Sequence, residues 1–355
     1  MNILTVGDLT YVHNRRWARG LAAIGLRVFV LSSTSDPVGG IEILPGLVPP
    51  FRPWRPFRWV RRWRANFRRA LKKAKPDLIH VPFPGPYSVP LEDVGRTPLV
   101  VQTWGAEVIP MDDENESDRL RKVELLHRAD RVLASSNCLA EAARRYAGLE
   151  HSRVQTIYWG VDLNQFSPGD RPVEEPVIGF AKTLSPKYGL EFLIEAMPKV
   201  LNAVPGARVV ALCAGAGDAR LRAKAERLGL NGAIGWHGTI GHELMPDFFS
   251  KMAISVLPST HESETLGVAG IESQAMRVPV VASRIGGLPE SISDGETGTL
   301  VPPRDPDALA DAIIDLLKDH DKRVAFGRQG RSFVERKFDW SKTLEATVHV
   351  FRQVV

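Results

Sequence analysis

Cysteine is nearly missing: the 355 residues hold two, Cys138 and Cys213. That excludes a disulfide framework and leaves too few thiols for a structural zinc site. Both sit in apolar runs, so each is expected to be a buried small hydrophobe. No apolar run approaches the roughly 20 residues that a bilayer-spanning helix needs. The opening MNILTVGD lacks a basic leader region, and Asp8 interrupts it too early for a signal peptide. It reads as a buried first strand, and the expectation is a cytoplasmic protein. No repeat occurs at solenoid periods. Acid is absent from one long stretch, FRPWRPFRWVRRWRANFRRALKKAK (residues 51–75), which carries eleven Lys or Arg and six aromatics.

That stretch dominates the charge. The net charge is +5, and without those eleven positive residues it would be −6. The basic character is therefore local. A nucleic-acid binder more often spreads its charge over a docking face, although a single basic arm stays open at this point. Hydrophobic content of 44% and charged content of 25% are those of a soluble globular chain, and the length favours two domains.

Short β-rich runs alternate with amphipathic helical patterns. NILTVG, LRVFVLSS, DLIHVPF, PLVVQTWG, RVLASS and VQTIYWG read as strands in the first half. Between them, HNRRWARGLAAIG puts Trp17, Leu21 and Ile24 on one helical face, with Gly25 just past its end. ESDRLRKVELLHRAD does the same with Leu120, Val123 and Leu126, and less well with Leu125. The Pro-rich FSPGDRPVEEP (residues 166–176) has no period and reads as a linker. The alternation then restarts: PVIGFAK, a helix from Leu190, ARVVALCAG, a helix through Arg222, AIGWHG, ELMPDFFSKM, ISVLPS, a helix near Ile271, and PVVASR. Asp305 is a capping candidate for a helix with Leu309, Ile313 and Leu316 or Leu317 inward. A last pattern runs through DWSKTLEATVHVFRQVV. Such alternation predicts parallel sheets with helices on both faces. The expected architecture is α/β, two Rossmann-like doubly wound domains facing a cleft. Their bounds are 1–165, a linker 166–176, 177–338, and a closing helix 339–355 that packs back towards the first domain. Ligands in such sheets bind beyond the carboxyl ends of the strands.

The stretch LPSTHESETLGVAGIESQAMRVPVVASRIGGLPE (residues 257–290) carries the most chemistry. A strand breaks at Pro258, a polar turn holds Glu262 and Glu264, and a helix begins near Gly267 or Val268. The uncompensated N–H groups of a helix start, at the positive end of its dipole, attract an anion. Gly267 lets a ligand approach the backbone closely. Glu272, further along the helix, could reach a hydroxyl beside that anion, as on a nucleotide's ribose. The plainer alternative is a strand–loop–helix unit with solvated glutamates.

The spacing Glu264–(seven residues)–Glu272 resembles the E-x7-E motif of retaining glycosyltransferases of GT-B fold, family 4 in particular. The surroundings agree in order: LPS before it, AM and PVVAS after it, then GG with a Glu, then DGETGTLVPPRDPDALADAI. GFAKTLSPKYGLEFLIEA (residues 179–196), IYWGVDLNQFSP (157–168) and ADRVLASS (129–136) resemble further family segments. The resemblance covers nearly the whole chain and is strongest after Ala129.

The resemblance implies transfer of a hexose-type sugar from a nucleotide diphosphate sugar, UDP-hexose by prior, to a hydroxyl acceptor on a glycan or lipid-linked molecule. It implies no metal and no further cofactor. Lys182 and Lys187 stand where the family places a basic pair, with Lys182 replacing the commoner Arg and giving up its bidentate fork. Thr265, Leu266, Gly267 and Val268 would form the phosphate cradle. Glu272 would hold the ribose, Glu264 would sit by the donor sugar, and Ile240 would lie near the base. On the acceptor side stand Trp104 and Glu107 of QTWGAEV, where many relatives have His and Asp, and His13 of YVHNRRW. For Trp104 and His13 a purely packed role is an alternative. MDDENESD (residues 111–118) offers acidic pairs, but on a loop these are usually solvated, and no metal is expected there. CAGAGDA (residues 213–219) holds a lone G-x-G that suits a strand–helix turn. Competing readings are a GT-B epimerase or phosphorylase, whose signatures are missing, and a glycosidase using Glu264 and Glu272.

The basic stretch is predicted to be helical from about Phe57, with Trp59, Trp63, Phe67, Ala70, Leu71 and Ala74 on one face. Either this face packs on a sheet and the arginines meet water, or residues 51–75 also dock on an anionic membrane at its inner face. Nucleic acid drops out as the favoured partner.

Overall fold

The computed structural model describes residues 1–34, 37–46, 56–85, 87–110, 114–169, 173–213 and 218–355. Residues 51–55 of the basic stretch, 111–113 of the acidic loop, 170–172 of the linker and 214–217 of the G-x-G turn lie outside them. The chain divides into two compact units, Met1–Ile157 with Leu344–Val355, and Tyr158–Thr343.

In the first unit seven strands form one parallel sheet: β1 (Asn2–Val6), β2 (Arg27–Ser32), β3 (Ile41–Pro45), β4 (Leu78–Val81), β5 (Leu99–Thr103), β6 (Arg131–Ala134) and β7 (Val154–Thr156). Their spatial order is β3-β2-β1-β4-β5-β6-β7. Thr5 of β1 lies opposite Val30 on one side and His80 on the other. The strands are nearly all buried, which is why they read as continuous apolar runs rather than alternating ones. The second unit repeats the plan with β8 (Val177–Ala181), β9 (Arg208–Leu212), β10 (Ile234–His237), β11 (Ile254–Leu257), β12 (Val280–Ser283) and β13 (Gly298–Val301), ordered β10-β9-β8-β11-β12-β13. Each sheet therefore reverses its winding once, between β1 and β4 and between β8 and β11. Ligands of doubly wound sheets sit at that reversal.

The basic stretch forms the helix Pro56–Ala74. Trp63, Phe67, Ala70 and Ala74 are buried in the first unit's core, with Trp59 and Leu71 packed against its edge. Each large side chain on that face contributes roughly 1.5–3 kcal/mol by leaving water. On the other side Arg64 and Arg68 each donate to Asp93 at 2.8 Å. Lys73 pairs with Glu42 at 2.8 Å. Bonding to Arg64 first, and to Arg68 after it, holds the Asp93 carboxyl below its usual range despite its burial.

Some expected faces are turned. Ile24 is 46% exposed, because the helix Val12–Ala23 has already ended and Ile24 is its C-cap, followed by Gly25 at φ +87°. In the helix Glu116–Arg128, Leu120 is 60% exposed, while Leu125 and Leu126 are buried. Leu125 and Leu126 belong to the first unit's core, with Val123 packed against it. Cys213 is buried but Cys138 is only partly so, lying in the first turn of the helix Asn137–Ala147. Strand β3, strand β13 and the helix His320–Lys337 are further elements beyond those expected. Asp305 caps the helix Pro306–Lys318, accepting from the Ala308 N–H at 2.9 Å. The last helix, Trp340–Val354, ends within the first unit, where Phe351 packs its ring 5.4 Å from that of His80. Among the described residues no helix is long and apolar enough to cross a membrane.

Candidate functional site

In the second unit, the two strands that flank the winding reversal each lead into a charged residue. Lys182 directly follows β8, and Glu264 lies in the loop after β11. Their side chains meet, with Lys182 Nζ 2.8 Å from Glu264 Oε2. Ser259 Oγ is 3.4 Å from the same oxygen. Glu264 is 6% exposed and far from the solvated surface residue that a lone glutamate usually is. Burial alone would lower the Lys182 ammonium. The charge of Glu264, with Tyr188 and Glu272 adding to it, outweighs burial and raises it, so the lysine is held charged. Lys187 approaches from the next turn. The ammonium groups of Lys182 and Lys187 each lie 4.9 Å from the centre of the Tyr188 ring, which a cation–π attraction favours.

Main-chain bonds hold these loops to one another. The Thr260 N–H donates to the Lys187 carbonyl at 2.7 Å, and the Gly287 N–H to the Glu264 carbonyl at 3.0 Å. A Cβ at Gly287 would strike the Thr265 carbonyl, which accounts for the glycine in the IGG turn. The turn brings β12's outgoing loop under the glutamate.

The helix Val268–Ala275 begins at Gly267, which is left-handed at φ +69° and has no side chain capping the first N–H groups. Open amides at the positive end of a helix dipole are of the kind that attracts an anion. Thr265 and Leu266 are buried directly before it. Glu272 is 5% exposed, and helical side chains lean towards the N-terminus, so its carboxyl reaches back towards the cradle. There Glu272 Oε1 meets His242 Nε2 at 2.7 Å. Ile240, two residues before that histidine, is 37% exposed in the loop after β10. The structure thus brings Lys182, Lys187, Glu264–Val268 and Glu272 to the carboxyl ends of the second sheet's central strands. A diphosphate would find two cations and a helix start there, with carboxyl groups beside them.

The first unit gathers its own residues at the same end of its sheet. His13 opens the helix after β1, Phe83 follows β4, and Trp104 follows β5. The Trp104 ring lies 5.5 Å from both the His13 and the Phe83 rings. Glu107 is buried and turned onto the backbone. Its Oε1 accepts the Trp104 N–H and, at 2.9 Å, the Gly105 N–H. Its carbonyl accepts Lys122 Nζ at 2.7 Å, and Lys122 also pairs with Glu114. Burial raises the Glu107 carboxyl despite those N–H donors. Glu107 acts on its surroundings by fixing the Trp104 turn.

Three members of these clusters were not singled out from the sequence. Ser259 sits beside an expected residue in LPST, and Phe83 was read only as a strand end. His242 is a lone histidine in a polar loop, a pattern with no signal of its own.

Comparison with known proteins gives concordant results. The family model described as Glycosyltransferase Family 4 matches residues 11–165, and Glycosyl transferases group 1 matches residues 163–333. A D-inositol 3-phosphate glycosyltransferase 2 of Catenulispora acidiphila is 31% identical over 263 residues, 69% of this chain and 61% of that protein. A D-inositol 3-phosphate glycosyltransferase of Mycobacterium tuberculosis is 28% identical over 293 residues, 76% of this chain and 58% of that protein. The chain thus matches only about three-fifths of the length of these curated relatives. Among solved structures, a glycosyltransferase from Rickettsia africae has a TM-score of 0.83 at 18% identity, covering 99% of this chain and 98% of that one. Anabaena HepE in complex with UDP-glucose has a TM-score of 0.80 at 19% identity, covering 99% of both chains. With one family model on each half and a fold shared along almost its whole length, the protein belongs to the group 1, family 4 glycosyltransferases of GT-B fold.

Proposed function

We propose that the chain moves a hexose-type sugar from a nucleotide diphosphate sugar to a hydroxyl acceptor, with retention at the anomeric carbon and without a metal. The observation that carries this reading is the Lys182–Glu264 pair beside the uncapped helix start at Gly267, with Glu272 one turn further on. Breaking the anomeric C–O bond leaves its electron pair on the diphosphate. Lys182, Lys187 and the amides of Gly267 and Val268 meet that charge, which fixed donors stabilise without reorganising. Glu264 faces the sugar and supports positive character at the anomeric carbon. Glu272 takes the ribose hydroxyls, and Ile240 lies near the base. UDP-glucose is the first donor to test, on the likeness to HepE. His13 and Trp104 offer rings to the acceptor, a glycan or lipid-linked hydroxyl, and Glu107 holds the Trp104 turn. As a glycosidase the site is less apt, since Glu264 is engaged by the Lys182 ammonium at 2.8 Å and a basic pair has no role in hydrolysis.

The test is product formation from a panel of nucleotide sugars, with calorimetry of the free nucleotides. Glu272→Ala is expected to weaken nucleotide binding, and Glu264→Ala to lower transfer more than binding. Activity is expected to persist in excess EDTA. Wild-type affinity in Glu272→Ala, or loss in EDTA restored by manganese, would overturn the corresponding part.

We further propose that residues 51–75 dock the protein peripherally on an anionic membrane at the cytoplasmic face. Arg61, Arg62, Lys72 and Lys75 are exposed and have no acidic partner among the described residues. Flotation at low salt should recover the protein with anionic vesicles and not with neutral ones. Equal recovery from both would leave the helix a packing element alone.

A further inference from the structure

His242 stands against the carboxyl group on which the nucleotide reading depends, and nothing in that reading assigns it a role. Its Nε2 lies 2.7 Å from Glu272 Oε1. A carboxylate only accepts, so the proton of this bond belongs to Nε2. The residue is itself held at two points, its ring and its backbone. Phe166, fully buried, sets its ring 5.5 Å from the imidazole, and Gln165 Nε2 donates to the His242 carbonyl at 3.1 Å. The short helical turn His242–Leu244 fixes the backbone behind it. A side chain braced in this way is suited to orient its partner and poorly suited to swing away from it.

We propose that His242 is the positioning residue for the nucleotide's ribose. Its N–H fixes the plane of the Glu272 carboxyl group, leaving Oε2 and the second lone pair of Oε1 directed at the ribose diol. Gln165 and Phe166, at the entry to the linker, thereby set the geometry of the nucleotide site. Without the imidazole the carboxyl group rotates, and its bonds to the diol lose their alignment. The consequence is selectivity: His242 sharpens the preference for a ribonucleotide over its 2′-deoxy form. The proposal rests on the reading that Glu272 binds the ribose.

The experiment is calorimetry with UDP, GDP and ADP, each beside its 2′-deoxy counterpart. It uses the full chain and the variants His242→Ala, His242→Gln and Glu272→Ala, with thermal unfolding as a check of the fold. For the nucleotide that binds the wild type, His242→Ala should weaken the ribo form roughly tenfold, the effect of losing one hydrogen bond to a charged group. The 2′-deoxy form should change little, so the ratio between the two falls. His242→Gln, which keeps an N–H donor, should restore part of the ratio. A merely structural role would weaken both forms alike, and an unchanged ratio in a folded His242→Ala protein overturns the proposal. If Glu272→Ala also leaves the ribonucleotide affinity unchanged, or if no nucleotide binds the wild type, the ribose reading itself fails. If Glu272→Ala weakens binding and His242→Ala does not alter the ratio, only the role of His242 fails.

Discussion

Replacing Lys182 with methionine removes the ammonium while keeping most of the stem, and it separates two tasks of one side chain. The first is structural. Glu264 is buried and has Lys182 at 2.8 Å, with Ser259 Oγ at 3.4 Å from the same oxygen. Breaking a buried pair by removing one partner costs about 3 kcal/mol, because the remaining charge stays desolvated. For a unit the size of Tyr158–Thr343 that lowers the melting temperature by roughly 6–12 °C. The second, on the proposed function, is chemical. Losing one fixed donor to a developing oxyanion lowers the rate roughly 100- to 1,000-fold. Lys182→Met should therefore melt earlier and transfer sugar far more slowly. Combining it with Glu264→Gln should return much of the stability, since no buried charge is left alone, but none of the rate. Lys182→Arg, the residue commoner in relatives, should keep both properties closer to wild type. Thermal unfolding and single-turnover transfer of the identified donor sugar read the two tasks separately. A Lys182→Met protein with wild-type melting and wild-type turnover would refute the reasoning. So would a double variant no more stable than the single one.

Gly267→Ala forces a Cβ into a left-handed position and against the Leu288 side chain. It should cost about 1–2 kcal/mol in denaturant unfolding and weaken nucleotide binding as the helix start shifts. Trp104→Ala should lower transfer to the acceptor while leaving nucleotide affinity within about twofold by calorimetry, a difference under ~0.5 kcal/mol. His80 is buried, and burial drops its pKa to about 4, more than the neighbouring Gln102 amide raises it. Between about pH 6.5 and 4 the unfolded chain binds a proton that the folded one refuses. Stability of the first unit should then fall by roughly 1.4 kcal/mol per pH unit as the solution is acidified through that window. His80→Leu should flatten the slope in unfolding experiments at stepped pH. An unchanged slope would place the acid sensitivity elsewhere.

The alternation of buried strands and amphipathic helices is readable because most β runs are buried on both faces and are punctuated by glycine or proline. Strand β3 escaped, since IEILP is half-exposed and follows a polar turn. The helix His320–Lys337 escaped for another reason. Its sequence is crowded with charge, and its buried face is made of Arg323, Phe326, Gly327, Gly330 and Val334, which has little apolar period. In the site, Glu264 and Glu272 were found by their spacing along one segment. The contacts that give them their chemistry were not: Lys182 is 82 residues from Glu264, and His242 is 30 from Glu272. Spacing reports neighbours along a helix, while a doubly wound sheet gathers its ligands from several strand ends. Glu107 shows the converse. The match to a family position gave no sign that its carboxyl group would be directed at the Trp104 and Gly105 amides.

The loop that bears Glu264 is fastened through its main chain. The Gly287 N–H reaches the Glu264 carbonyl, the Glu264 N–H reaches the His261 carbonyl, and the Thr260 N–H reaches the Lys187 carbonyl. Two side-chain bonds add to those three anchors, from Thr260 Oγ1 to the Pro186 carbonyl at 3.1 Å and between Ser263 Oγ and His261 Nδ1 at 3.0 Å. Exchanging a side chain that takes part in none of these bonds can change the lining of the site without loosening the glutamate. A scaffold built this way can take up such exchanges in small steps while the backbone under the glutamate keeps its place.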